Sequence, residues 1–330
     1  MRLLFISSGT KTLSYLDPNF ISAFRELEKA SGSAFAFACY HSDRERIQTL
    51  YNKIQTFKPD VILSLNRSLT PDTIARLKRY NIPLGLYLVD DPYLITYHLP
   101  LARQYQFVIT EDSGSVPVYR NHGIKALHLP LAVNPSFYSP MEVSDQYKSD
   151  ICFVGSALPN RLRLFDELTP YLRKKKFIII GRWWERLKHF AILKPHILNR
   201  TIPPQETAKY YNGAKIVLNI HRIPNDVNRN PRNIPAYTPN NRTFDIAACK
   251  AFQLATCRRD LKNYYHLGEE MICYQGIEDL KQKIDYYLQH EAERNEIAER
   301  AFARTLEDHT YIVRFQELIN KLNNEILANR

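Results

Sequence analysis

The fold can be read from one stretch, residues 240–256, which is Asn240-Asn241-Arg242-Thr243-Phe244-Asp245-Ile246-Ala247-Ala248-Cys249-Lys250-Ala251-Phe252-Gln253-Leu254-Ala255-Thr256. A polar loop is followed by a short helix, because Phe244, Ala247, Ala248 and Ala251 recur at helical spacing. We expect this helix to pack on a sheet and to end near Ala251. Residues 252–256 then read as a short strand. A helix followed by a buried strand is the repeating element of α/β proteins.

The start of this helix carries residues that suit a phosphorylated ligand. Asn240 or Asn241 can cap the helix, because an Asn side chain accepts hydrogen bonds from the free N–H groups of the first turn. A helix N-terminus favours a phosphate, and Arg242 would add a two-pronged donor. Asp245 could accept hydrogen bonds from sugar hydroxyls. The alternative, that Arg242 and Asp245 belong to an ordinary capped helix start, stays open at this point.

Strands alternate with helices along most of the chain, which predicts two doubly wound α/β domains. The predicted strands of the first domain are 1–7, 34–40, 59–65, 82–89, 107–110 and 123–129. Those of the second domain are 150–156, 177–181, 197–202, 215–219, 252–256 and 270–274. The two halves share this architecture without an obvious sequence repeat.

A length of 330 residues also favours two domains. We predict an N-terminal domain over 1–133, a linker over 134–149 and a C-terminal domain over 150–305, with a cleft between the two domains. Residues 306–330 are expected to form a C-terminal helix that can pack back towards the N-terminal domain. The loop 221–240 is long for a compact domain, and loops of that length are usually functional or mobile.

Ligands of doubly wound sheets bind beyond the carboxyl ends of the strands. Asp90-Asp91-Pro92 follows a predicted strand in this way, so Asp91 could act as a base towards a hydroxyl group or bind one. The alternative is a turn-forming Asp-Asp-Pro segment. His98 lies shortly after it, and a lone histidine is more often structural than catalytic.

Positive charge is concentrated in the middle of the chain. The formal net charge is +11, and residues 150–262 hold 21 Lys and Arg against 8 Asp and Glu. Such a surface favours an anionic ligand, nucleic acid or an acidic membrane face, although a solvated basic face would look the same.

The cysteines and the apolar runs predict a cytoplasmic protein, with the inner face of the membrane as a further location that the basic face allows. The five cysteines are scattered without a CxxC pair, which is typical of reduced thiols. The apolar N-terminal run is too short for a signal peptide, and no stretch is long enough to span a bilayer.

Several blocks taken in order resemble the CgeB-type, spore-maturation-protein-like glycosyltransferases, which are similar to the GT-B, glycosyltransferase-family-4-like enzymes. The blocks are Asp90-Asp91-Pro92, Phe153-Val154-Gly155-Ser156 with Arg161, Val217-Leu218-Asn219, Arg242 to Ala251, Gly268 to Tyr274 and Asp308 to Phe315. Their order and spacing over most of the chain carry the resemblance.

The resemblance implies a nucleotide-sugar donor on the C-terminal domain, an acceptor on the N-terminal domain, and neither a metal nor a cofactor. Gly155 and Ser156 would let the diphosphate approach the backbone, Arg161 and Arg242 would neutralise its charge, and Asp245 would bind the ribose. The other expected donor residues are Trp183, Arg200 and Ile202, in base-contacting loops, with Asn219, Asn241 and Thr243. The chain departs from the pattern at Asp245, where Glu is usual, and at Lys250, where Gly is common.

We therefore predict a metal-independent glycosyltransferase that uses a nucleoside-diphosphate sugar, with UDP, GDP and dTDP all open. The acceptor is a glycan, protein, lipid or small molecule. Arg242 would stabilise the leaving diphosphate where its negative charge develops. Asp91 would be the base if the reaction inverts the anomeric centre. The alternatives are a nucleotide-sugar epimerase of the same fold and a non-catalytic binder of nucleic acid or another anionic polymer, using Arg182-Trp183-Trp184 to stack on bases.

Overall fold

The computed structural model describes residues 1–9 and 16–328 and shows two compact units. The first comprises Met1–Leu131, Val227–Thr238 and Tyr311–Arg330, and the second comprises Ala132–Asp226 and Pro239–Thr310. Each unit contains one six-stranded sheet. The prediction of two doubly wound α/β units is confirmed, and none of the helices in the described chain is long and apolar enough to cross a bilayer.

The first unit is built on a fully parallel sheet. Its strands are β1 (Arg2–Ile6), β2 (Ala36–Tyr40), β3 (Val61–Leu65), β4 (Leu84–Leu88), β5 (Phe107–Thr110) and β6 (Lys125–His128). They lie in the order β2-β1-β3-β4-β5-β6, so the chain reverses its direction of winding between β1 and β3. All five positions of β3 and of β4 are buried, as expected for strands covered on both faces.

Five helices connect these strands: α1 (Leu16–Ser31), α2 (Ile47–Phe57), α3 (Pro71–Lys78), α4 (Ile95–Ala102) and α5 (Val116–Asn121). Their sequences are amphipathic, and their apolar stripes cover the sheet. In α1, for example, Phe20, Phe24 and Leu27 are buried at helical spacing. The core of the first unit therefore lies between the sheet and these helices.

The second unit repeats the architecture with the strands β7 (Ser149–Val154), β8 (Phe177–Ile180), β9 (Ile197–Leu198), β10 (Ala214–Asn219), β11 (Gln253–Thr256) and β12 (Ile272–Tyr274). The order β12-β11-β10-β7-β8-β9 puts the reversal of winding between β7 and β10. β9 is shorter than the predicted strand 197–202, because the chain after Leu198 leads through two prolines into a helix.

The helices of the second unit are α6 (Pro159–Leu172), α7 (Phe190–Leu193), α8 (Pro204–Gly213), α9 (Asn241–Ala248), α10 (Gly276–Gln289) and α11 (Glu291–Asp308). The stretch predicted as a linker, 134–149, belongs to this unit. Met141 N–H donates to Asn212 Oδ1 at 2.8 Å, and Asn212 Nδ2 donates to the Ser139 carbonyl at 3.0 Å. One side chain at the end of α8 therefore pins this stretch.

The last helix, α12 (Tyr311–Lys321), belongs to the first unit. Phe315 stacks on Phe24 of α1 with ring centroids 4.1 Å apart, and it meets Phe20 edge-on at 4.8 Å. These aromatic contacts bury the end of the chain against α1. The predicted helical segment 306–330 contains the end of α11 and all of α12.

The segment Val227–Thr238 also belongs to the first unit, although the sequence prediction placed it in the C-terminal domain. A buried carboxylate explains the difference. Asp112, which follows β5, accepts hydrogen bonds from the backbone N–H groups of Gly114 at 2.8 Å, Tyr237 at 2.9 Å and Thr238 at 2.9 Å. Sequence patterns cannot reveal a contact between residues this far apart in the chain.

Asp112→Ala should lower the free energy of unfolding, because it leaves buried N–H groups without their acceptor. We expect a loss of about 1–3 kcal/mol for each donor that finds no new partner, and faster proteolysis within 227–238. Urea unfolding and limited proteolysis measure the two effects. Asp43→Ala, at an exposed position of the same unit, is the control. Equal stabilities for the two variants would contradict the anchoring role of Asp112.

Candidate donor site

The reversal of winding in the second unit places two loops side by side. β7 and β10 are parallel neighbours, with Val217 opposite Cys152. β7 runs into Gly155 and Ser156, and β10 runs into Ile220 and His221. Ligands of doubly wound sheets bind in the crevice at such a switch point. The side chains that surround these two strand ends therefore form the candidate site.

The loop after β7 is fixed by close packing. A Cβ on Gly181 would lie 2.1 Å from the Gly155 carbonyl oxygen, so only glycine fits there. Trp184 is fully buried and donates its indole N–H to the same oxygen at 3.0 Å. The predicted Gly155-Ser156 turn is thus held from both sides.

The guanidinium of Arg161, predicted to neutralise the diphosphate, donates hydrogen bonds to two backbone carbonyls. Its side chain is buried, and it donates to the Ile220 carbonyl through Nη2 at 2.7 Å and Nε at 3.2 Å. Nη1 donates to the Ser156 carbonyl at 3.0 Å. Arg161 therefore bridges the loops that follow β7 and β10, and its positive charge remains close to both.

Helix α9 begins as predicted, with Asn240 as its cap. Asn240 Oδ1 accepts from Thr243 N–H at 3.0 Å. Asn219 fastens this cap to the sheet, because its Nδ2 donates to Thr243 Oγ1 at 2.9 Å and to Gln253 Oε1 at 3.0 Å. Its Oδ1 accepts from Asn240 Nδ2 at 3.0 Å. The predicted donor residues Asn219 and Thr243 are fully buried and hold the helix in place.

Helix α9 ends at Ala248, earlier than the predicted Ala251. Lys250 has a φ of 55°, in the left-handed region, and Ala251 N–H donates back to the Ile246 carbonyl at 3.3 Å. A left-handed residue just after a helix ends it in this way. Glycine would adopt this conformation without strain, which agrees with the glycine that the family resemblance implies at this position.

Arg242 and Asp245 lie in the first turns of α9. Arg242 is half-buried, and within residues 1–9 and 16–328 its guanidinium forms neither a hydrogen bond nor an ion pair. Asp245 is buried, and its Oδ2 accepts from Asn241 Nδ2 at 2.9 Å. Burial raises the pKa of Asp245 well above its usual value, and the Arg242 charge opposes this shift only in part. Both groups retain unused binding capacity.

His221 was missed by the sequence analysis. Its ring is buried, its Nδ1 lies 2.8 Å from Thr256 Oγ1, and its Nε2 has no partner in the described chain. Burial lowers the pKa of His221 well below its usual value, and the charges of Arg258, Arg242 and Arg161 lower it further. The imidazole is therefore neutral. Its position directly after β10 could have identified it by the same strand-end rule that identified Asp91.

Asn160 Oδ1 and the Tyr274 hydroxyl are also buried and have no hydrogen-bond partner within the described residues. Asn160 Nδ2 donates to the His221 carbonyl at 2.9 Å, which places Asn160 beside the loop after β10. Burial raises the pKa of Tyr274, so its phenol keeps its proton. Unsatisfied buried groups are rare in folded proteins and mark a place where a polar ligand can bind.

The residues expected near a nucleobase are Trp183, Arg200 and Ile202. Trp183 is 46% exposed. Arg200 is paired with Glu206 at 2.9 Å, and Ile202 is buried. No hydrogen bond or ion pair in the described chain joins these three residues to Arg242, Asp245 or His221. The structure brings Arg242, Asp245, Asn241 and His221 together, while contact of Trp183, Arg200 and Ile202 with a nucleobase stays a prediction.

Asp91 lies in the first unit, beyond the end of β4, and its carboxylate is fully occupied. Oδ1 lies 2.6 Å from His98 Nδ1, and Oδ2 accepts from Thr110 Oγ1 at 2.7 Å and from the Tyr119 hydroxyl at 2.8 Å. Burial, followed by the Asp91 charge, raises the pKa of Tyr119 well above its usual value. These contacts fix the Asp91 carboxylate against His98, Thr110 and Tyr119, and its role as a base stays a prediction.

His98 is the group that this arrangement presents. A carboxylate accepts only, so His98 Nδ1 carries a proton and donates it to Asp91 Oδ1. Its side chain is 8% exposed, and Nε2 is not among the fully buried atoms that lack a partner. The sequence alone predicts a structural role for His98, as for most lone histidines. Among the described residues, no group of three or more His, Cys, Asp or Glu is arranged to hold a metal ion.

Comparison with known proteins adds the family. Residues 161–320 match a family model described as glycosyl transferase-like. The chain is 32% identical over 295 residues to spore protein CgeB of Bacillus subtilis (strain 168), covering 87% of this chain and 89% of that protein.

Solved structures show the fold. Sucrose-phosphate synthase of Thermosynechococcus elongatus superposes with a TM-score of 0.65 at 10% identity over 100% of both chains. A glycosyltransferase from Rickettsia africae gives 0.64 at 11% identity, covering 100% of this chain and 99% of that one. Anabaena Alr3699/HepE, solved with UDP and glucose, gives 0.61 at 12% identity, covering 98% of this chain and 99% of that one. The predicted GT-B fold is confirmed, and the chain belongs to the CgeB-type family of glycosyltransferases.

Proposed function

We propose that the second unit binds a nucleoside-diphosphate sugar at the switch point between β7 and β10, and that the enzyme transfers this sugar to an acceptor. The observation that carries the proposal is Arg242, a half-buried arginine without a partner in the described chain, at the start of a capped helix. HepE, which shares the fold, has been solved with UDP and with UDP-glucose.

The diphosphate would be held by Arg242 and by the N-terminus of α9. An arginine fork and a helix N-terminus both favour a phosphate, and they stabilise the charge that develops on the leaving group. These groups and the buried charge of Arg161 supply positive charge without a metal ion. Gly155 and Ser156, on the neighbouring loop, would line the same crevice.

His221 would add a neutral donor to this site. In the tautomer that we propose, Nδ1 accepts the Thr256 hydroxyl proton across 2.8 Å, while Thr256 Oγ1 accepts from the His221 backbone N–H at 3.0 Å. Nε2 then carries the remaining proton and can donate it to a phosphate oxygen. Burial and the three arginines keep the imidazole neutral, because a protonated ring would add a charge beside them at a large cost.

Asp245 would bind the donor ribose. A buried carboxylate with one hydrogen bond is costly to keep, unless a ligand supplies the missing donors. Two adjacent sugar hydroxyls can do so, and Asn241 already orients the carboxylate. Arg200 and Ile202 stay predicted contacts of the nucleobase.

The first unit would bind the acceptor, with His98 Nε2 accepting a hydrogen bond from the reacting hydroxyl. Asp91 fixes the orientation and the tautomer of this ring, as the acidic member of a catalytic triad does. Product analysis distinguishes transfer from epimerisation, because an epimerase would release an altered sugar or sugar nucleotide without consuming an acceptor.

Arg242→Ala should weaken the binding of UDP, GDP or dTDP, whichever binds, by about 1.5–3 kcal/mol, the range for hydrogen bonds to charged groups. Isothermal calorimetry at low salt measures the change. Arg163→Ala removes an exposed arginine of the same unit and is the matched control. If the wild-type protein bound none of the three nucleotides, or if both variants bound equally, the proposal would fail.

Asp245→Asn should stabilise the unliganded protein at neutral pH while weakening nucleotide binding. The folded-state pKa is raised above the ordinary value of 3.8, so the ionised carboxylate costs stability as pH rises above that value. The variant removes this cost, and its advantage should disappear in acid below the unfolded pKa. Urea unfolding across pH, with calorimetry on the same samples, tests both effects. A destabilised variant at pH 7 would contradict the assignment.

Asp91→Asn should change the tautomer of His98 without abolishing folding, because Asn can still bond to Thr110 and Tyr119. In the wild-type protein we expect ¹⁵N NMR of labelled histidine to show a proton on Nδ1 and a bare Nε2. His98→Gln assigns the signal. A proton on Nε2 in the wild-type protein would rule out the proposed presentation of its lone pair.

A further inference from the structure

The chain between β8 and β9 has a buried face and an outward face. Trp184, Leu187 and Leu193 are fully or almost fully buried in the core of the second unit. Six exposed residues alternate with these buried ones along the chain. We call them the 182–194 surface: Arg182, Trp183, Arg186, Lys188, Ile192 and Lys194. Two large apolar side chains stand on this surface among four cationic ones.

Trp183 is held out of the core by its backbone. Its φ is 69°, in the left-handed region, and its side chain is 46% exposed while the next residue, Trp184, is fully buried. The guanidinium carbons of Arg182 and Arg186 lie 5.3 Å and 5.8 Å from the Trp183 ring. A left-handed tryptophan is uncommon, and its exposure leaves a large apolar ring in water.

Most of the charge on this surface is uncompensated. Arg182, Lys188 and Lys194 form no ion pair in the part of the chain that the structure describes. Glu185 is the acidic residue within 182–194, and it accepts a hydrogen bond from Asn199 Nδ2 at 2.7 Å. Ile192 is 44% exposed beside these cations. The surface therefore combines net positive charge with unburied apolar area.

We propose that the 182–194 surface docks the protein on an anionic phospholipid bilayer. Tryptophan favours the interface between headgroups and acyl chains, where its ring is buried and its N–H stays wet. Ile192 would insert beside it, and the unpaired cations would attract anionic headgroups. The charges complement such a membrane, and the apolar side chains complement its interfacial layer. The proposal does not depend on sugar transfer.

A nucleic acid fits this surface less well. Binding to single strands uses successive exposed aromatic rings on which bases stack. Trp184 is fully buried, with its N–H bonded to the Gly155 carbonyl, so the Arg182-Trp183-Trp184 motif exposes one ring. The exposed aliphatic Ile192 has no role in recognising phosphates or bases. A bilayer uses both features.

Intrinsic fluorescence tests the docking directly, because the chain has only two tryptophans and one of them is buried. Vesicles containing equal parts of phosphatidylcholine and phosphatidylglycerol should shift the emission to shorter wavelength, and pure phosphatidylcholine vesicles should not. Trp183→Phe should abolish the shift, since only Trp184 then emits. A shift that persists in Trp183→Phe, or no shift with anionic vesicles at low salt, would overturn the proposal.

Co-sedimentation with the same vesicles tests the charges. The triple variant Arg182→Gln, Lys188→Gln, Lys194→Gln should bind roughly fivefold less tightly for each cation removed. The control triple variant, Arg173→Gln, Lys174→Gln, Lys262→Gln, removes equal charge from exposed positions of the same unit and should bind as the wild-type protein does. Equal losses in the two triple variants would mean diffuse attraction without a defined surface, and would overturn the proposal.

Adding single-stranded RNA or UDP to the protein tests whether the 182–194 surface binds a nucleic acid or a nucleotide instead of a membrane. Single-stranded RNA that bound through Trp183 while anionic vesicles did not would assign the surface to nucleic acid. UDP that quenched Trp183 without vesicles would place this ring in the donor site. Either result would contradict membrane docking, and the second would support nucleotide binding.

Discussion

The candidate donor site depends on one interaction, the buried guanidinium of Arg161 shared between the carbonyls of Ser156 and Ile220. These carbonyls belong to the two loops that diverge from the switch point of the second sheet. Without Arg161, both buried carbonyl oxygens would lose a hydrogen-bond donor. Arg161 satisfies them and fixes the distance between the loops. Asn160, one residue earlier, holds the His221 carbonyl from the same helix. Arg161 and Asn160 therefore hold the two loops in a fixed arrangement.

Several polar groups near these two loops lower the stability of the unliganded protein, because they are buried or half-buried without enough hydrogen-bond partners. Arg242 has no partner in the described chain, His221 Nε2 is buried without one, and the Asp245 carboxylate is held where burial disfavours its charge. Structural polar groups in the same unit behave differently. Asn219 and Thr243 are saturated by their neighbours. Buried polar groups that lack partners are expected at functional sites, because a bound ligand supplies the missing hydrogen bonds.

The sequence predicted what local chemistry determines. Alternating strands and helices gave both sheets, and the preference of Asn for a helix start gave the Asn240 cap. It could not predict contacts between distant residues: Asp112 with Tyr237 and Thr238, Arg161 with Ile220, and Asp91 with His98, Thr110 and Tyr119. These contacts determine which of the predicted site residues are used in hydrogen bonds within the protein and which remain available to a ligand. The early end of α9 was missed because Lys250 adopts a backbone conformation that usually signals glycine.

A crystal structure of the protein soaked with the nucleoside diphosphate it binds would test the central claim most directly. The account predicts phosphate oxygens within hydrogen-bonding distance of the Arg242 guanidinium and of His221 Nε2, with ribose hydroxyls on Asp245. A diphosphate bound elsewhere, with Arg242 and His221 still unpaired, would contradict it.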